Sequence, residues 1–67
     1  MKKYKYTLFN ASGEVVINGE APIRNSKRLL FEAWHNVDSN ITSCIVYGAY
    51  GQELTRAKMV DGLPKNF

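Results

Sequence analysis

Sixty-seven residues, with nine Lys or Arg against six Asp or Glu and a formal charge of +3, bound the chain to one small domain over 1–67. One Cys excludes an internal disulfide, and one Cys with one His excludes a four-ligand zinc site, so no metal or cofactor is expected. Hydrophobic residues make up 45% and aromatics 12%, which argues against disorder, and no apolar run is long enough to span a bilayer.

A domain this small buries only about 60% of the surface its unfolded chain exposes. With disulfide and metal excluded, self-association is the remaining stabiliser, and a homodimer is the expectation. The basic leader Met1-Lys2-Lys3-Tyr4-Lys5-Tyr6 has no apolar signal core behind it, which leads to an expected cytoplasmic setting.

Residues 3–9 alternate Lys3, Lys5, Thr7 with Tyr4, Tyr6, Leu8, the pattern of a strand with one basic and one apolar face. Asn10-Ala11-Ser12-Gly13 reads as a turn, and Glu14–Asn18 as a second strand. With Phe9 and Glu14 flanking the loop, Leu8 faces Val15 and Tyr6 faces Ile17. Gly19–Arg24, with Pro22, is expected to break the sheet.

Ser26–Val37 is the one convincing helix. Leu29, Leu30, Ala33, Trp34 and Val37 fall on one face of a 3.6-residue period, and Asn25 or Ser26 can cap its start. Asp38-Ser39-Asn40 stops it, because these side chains favour turns.

Ile41–Tyr50 is β-branched and aromatic and reads as a third strand. Gly51-Gln52 suits a two-residue turn, and Glu53–Val60 is a fourth strand, with Val46 facing Ala57 and Cys44 facing Met59. Residues 61–67 read as a loose tail. The expected architecture is α+β in the order ββαββ, a four-stranded antiparallel sheet with the helix packed on one face. Tyr4, Tyr6, Leu8, Val15, Ile17, Cys44, Val46, Ala57 and Met59 would meet the helix stripe, with Gly48 admitting Trp34 or Leu30.

One helix leaves the other face uncovered. That face would carry Lys3, Lys5, Phe9, Val16, Ile45, Tyr47, Arg56 and Lys58, with Thr7 among them. Cations interleaved with apolar and aromatic residues suit a partner protein, the subunit's own copy included. The alternative is nucleic acid, with Tyr47 and Phe9 stacking bases and the cations holding phosphates. Plain solvation of an open antiparallel sheet is the bland reading of the same residues. Ile45 and Val16 tilt the choice toward protein, since stacking needs no aliphatic centre. A second basic group, Arg24, Lys27 and Arg28, stands at the helix start, where free N–H groups and the dipole favour an anion.

Catalytic chemistry is sparse. His35 has no evident nucleophile beside it, Cys44 sits in an apolar strand, and no phosphate-loop pattern occurs. The expectation is a non-enzymatic module of regulatory, adaptor or inhibitor type.

Overall fold

In the computed structural model, which describes residues 2–67 and so leaves Met1 of the basic leader outside, two hairpins close in the same way. β1 (Tyr4–Asn10) and β2 (Val15–Ala21) join through Asn10–Glu14; β3 (Ile41–Tyr47) and β4 (Glu53–Val60) join through Gly48–Gln52. In each turn the fourth residue is a glycine whose N–H donates to the first carbonyl, Gly13 to Asn10 at 3.0 Å and Gly51 to Gly48 at 3.1 Å. Gly13 and Gly51 hold φ of 81° and 80°, a left-handed backbone that any Cβ would strain. Side chains complete each turn: Asn10 Oδ1 accepts from the N–H of Ser12 and of Glu14, and Gln52 Oε1 accepts from that of Tyr50.

These turns are longer than a two-residue Gly51-Gln52 connection, so β3 ends at Tyr47 rather than Tyr50. Turn and strand act together: with a single-residue slip beside each turn, between Leu8 and Phe9 and between Val46 and Tyr47, both registers sit two residues from the expected ones along the strands. Leu8 faces Ile17, Tyr6 faces Gly19, Cys44 faces Ala57 and Val46 faces Thr55. A shift of two keeps each side chain on its face, so the two-faced sheet survives the correction. Val15 is the exception. The register slips by one between Leu8 and Phe9, Val15 pairs with Phe9, and it is 55% exposed instead of lying in the core.

Gly19 does not break β2. A Cβ there would lie 2.5 Å from the Tyr6 hydroxyl oxygen, so the glycine makes room for the ring while the strand runs on to Ala21. The space above Gly48 goes to the Gln52 amide, not to the helix.

The expected loose tail is a strand, and the sheet has five strands rather than four. Asp61 and Gly62 both hold positive φ, 53° and 79°, the requirement of a type I′ hairpin, and they turn the chain into β5 (Leu63–Asn66). The sheet is antiparallel in the order β2-β1-β3-β4-β5, and the element order is ββαβββ.

α1 (Ser26–Asn36) begins at Asn25, whose Oδ1 accepts from the N–H of Lys27 and Arg28. Val37 is the C-cap, 62% exposed, because the chain leaves the helix there instead of continuing the apolar stripe. The helix packs on β3, β4 and β5. Leu30, Ile41, Cys44 and Val46 are fully buried, joined by Leu8, Leu29, Ala33 and Ala57, while Trp34 is half-buried. Ile41 reaches this core through a second register slip, between Phe9 and Asn10, which sets it opposite Asn10 and on the helix side. The fully buried Ser26 hydroxyl meets the Thr55 hydroxyl at 2.9 Å and ties the helix start to β4. Among the described residues no helix is long and apolar enough to cross a membrane.

Candidate binding face

The face away from α1 is ordered by the registers into three rows across the strands. The first runs Glu20, Lys5, Tyr47, Glu53; the second runs Asn18, Thr7, Ile45, Arg56. The third runs Val15, Phe9, Ser43, Lys58, Lys65. Phe67 follows β5 and donates its N–H to the Arg56 carbonyl at 3.1 Å, which extends the second row. Lys5, Phe9, Ile45, Tyr47, Arg56 and Lys58 are thus brought together as expected from alternation. Lys3 precedes β1 at one end of the face, and exposed Val16 lies at the register slip of β2.

The charges are not a uniform basic stripe. Arg56 holds Glu53 by two bonds, Nη2 to Oε1 at 2.6 Å and Nε to Oε2 at 2.9 Å. The Arg56 hydrogen bond and charge lower the Glu53 pKa, and Glu53 in return raises that of Arg56. Lys5 has Glu20 as its cross-strand neighbour. In the middle the Thr7 hydroxyl donates to Asn18 Oδ1 at 2.8 Å. Of the cations outside these pairings, Lys58 and Lys65 sit opposite one another at the end next to Phe67, and Lys58 Nζ lies 5.6 Å from the Phe67 ring centroid.

That end is concave. Asn10, Ser43, Ile45, Lys58 and Phe67 are among the residues lining a hollow of about 370 Å³. Its floor is apolar and hydroxylic, one wall is an exposed aromatic ring, and its rim is cationic. This suits an apolar side chain next to a carboxylate better than a run of phosphates. Sequence reasoning missed Lys65, Phe67, Glu20 and Glu53 here. The signal for the first two is the Asp61-Gly62 pair, which predicts a hairpin and therefore a strand after it.

The other basic group lies in the opposite layer. Arg24, Lys27 and Arg28 are all exposed, but Asn25 occupies the N–H groups of Lys27 and Arg28, and Arg28 Nε approaches Glu32 at 3.4 Å. The first-turn donors an anion would use are therefore largely engaged, and one ligand cannot span both basic groups.

The remaining reactive groups are placed for packing. Cys44 is fully buried, and burial pushes its thiol up to about 12, so it stays protonated and unreactive at neutral pH. His35 is exposed on the helix and stacks on Phe31 with ring centroids 5.9 Å apart. No three His, Cys, Asp or Glu residues gather as metal ligands among the described residues. No protein-family model, curated protein or solved structure matches the chain.

Proposed function

We propose that this is a non-enzymatic module that binds a partner protein through its open sheet face. The observation that supports it is the make-up of that face: Phe9, Ile45, Tyr47 and Phe67 lie among Lys5, Arg56, Lys58 and Lys65, with Glu20 and Glu53 at the far corners. Four cations against two carboxylates favour an acidic patch on the partner and disfavour stacking this face on a copy of itself. The same mixture weighs against nucleic acid, because two carboxylates would face phosphates and Arg56 is already committed to Glu53. The buried thiol and the stacked His35 support a binding role rather than a catalytic one. A cytoplasmic setting fits a chain whose single thiol is buried and unpaired.

A photo-crosslinking residue at position 45, carried into the cells that make the protein, tests this reading. The expected result is a covalent adduct with an acidic protein that disappears when Lys58→Glu and Lys65→Glu are added, while the same probe at Asp38 gives none. Adducts with nucleic acid, or none at position 45, would overturn it.

A further inference from the structure

The two edges of the sheet are built differently. β5 carries Pro64, which brings no N–H, and Lys65, a charge that discourages strand addition. β2 reads Val-Val-Ile-Asn-Gly-Glu-Ala, with no Lys, Arg or Pro and one ionisable residue, Glu20. Its register slip is confined to Val15 and Val16, so Ile17–Ala21 runs regularly to an edge with no strand beyond it.

The layer above β2 is also incomplete. Because α1 sits over β3, β4 and β5, a groove of about 250 Å³ opens between the helix and the first hairpin. Tyr6, Leu8, Ile17, Leu29, Ala33 and Val37 make most of its lining apolar, and Glu32 and Asn36 of the helix add polar groups to it.

We infer that the β2 edge pairs antiparallel with the β2 edge of a second copy, forming a continuous ten-stranded sheet about a two-fold axis at Asn18. A two-fold perpendicular to the sheet keeps both open faces on the same side, so opposed residues share parity and the axis must pass at a residue. Centring on Asn18 opposes Ile17 to the partner's Gly19 and Val16 to the partner's Glu20, with no like charges facing. Centring on Glu20 would oppose two carboxylates, which is unfavourable. The Asn18 register also brings Ile17 and Ala21 of both copies into one apolar strip between the two helices, where each copy alone leaves its groove open. This pairing uses none of the open-face cations; it shares Asn18 and Glu20, at the β2 margin, with the open face.

The test places charge on the axis. Wild-type chain, Asn18→Asp, Asn18→Lys and an equal mixture of the two variants are followed by light scattering through a dilution series, with circular dichroism confirming the fold. Wild type should rise from 7.6 kDa toward twice that mass with concentration. Each variant alone should lose the rise, and the mixture should recover it as a heterodimer. A wild type that stays monomeric, variants that dimerise as well as wild type, or a mixture no heavier than its components would each overturn the inference. Lys58→Glu, which tests the open face, should leave the rise unchanged.

Discussion

The two faces of β3 carry the same chemistry of strand formation and opposite consequences. On the helix side Cys44 and Val46 are fully buried, and on the other side Ser43, Ile45 and Tyr47 are half-buried with nothing packed above them. Both faces are β-branched or apolar enough to make a central strand. Only one of them is used to hold the fold. The contrast teaches that apolar content on the open face is surplus to folding, and a surface that is surplus to folding is where a contact surface is to be sought.

The contrast breaks most visibly at the centre of the covered side. Leu30 is fully buried in α1, and Leu30→Ala should remove about 3 kcal/mol through lost transfer energy and a residual cavity. That is a large share of the stability of a domain this small. A urea melt should show a strongly lowered midpoint, with the chain partly unfolded in buffer.

Cys44 sharpens the contrast through pH. Its folded-state pKa is raised from 9.0 to about 12 by burial, so above pH 9 the unfolded chain loses a proton that the native state keeps. Stability contributed by the protonated, buried thiol is complete below pH 9 and falls as pH rises through the interval to about 12, by at most about 1.4 kcal/mol per pH unit. Cys44→Ala should lower stability at neutral pH but flatten this alkaline slope. Comparison of midpoints at pH 8 and pH 10 for both proteins checks the sign, and an equal slope in the variant would show that other groups carry it.

The sequence made the faces legible and the connections illegible. Alternation assigned Lys5, Ile45, Tyr47, Arg56 and Lys58 to one side because a strand's period is two, and this holds under any even shift in register. Turn length was not written in alternation. The Asn10 and Gln52 side chains and the left-handed glycines at Gly13 and Gly51 set the turns, and a single-residue slip beside each turn completes the two-residue shift of both registers. Single-residue slips are harder still, since they exchange faces: one exposed Val15, another buried Ile41, and a third between Val46 and Tyr47 set Glu53 opposite Tyr47 on the open face. Asp61-Gly62 is a hairpin signal, yet the stretch 61–67 reads as a loose tail, because a four-residue strand containing Pro64 resembles one until its partner Met59 is known. Helix start and cap followed from Asn25, whereas the lateral offset of α1 toward β5, which leaves the β2 groove open, depends on tertiary packing that periodicity does not encode.

One substitution made at two adjacent residues tests the central contrast most directly. Val46→Thr and Ile45→Thr each exchange a β-branched apolar side chain for a β-branched hydroxyl on the same strand, one on each face. Measured by urea unfolding, Val46→Thr should cost about 1–3 kcal/mol for a hydroxyl taken from water into the core. Ile45→Thr should cost clearly less, under about 1 kcal/mol, because the half-buried site lets the new hydroxyl keep its water and the loss is confined to part of the apolar contact. Equal losses would contradict the account, because Ile45 would then hold the fold rather than stand free for a partner.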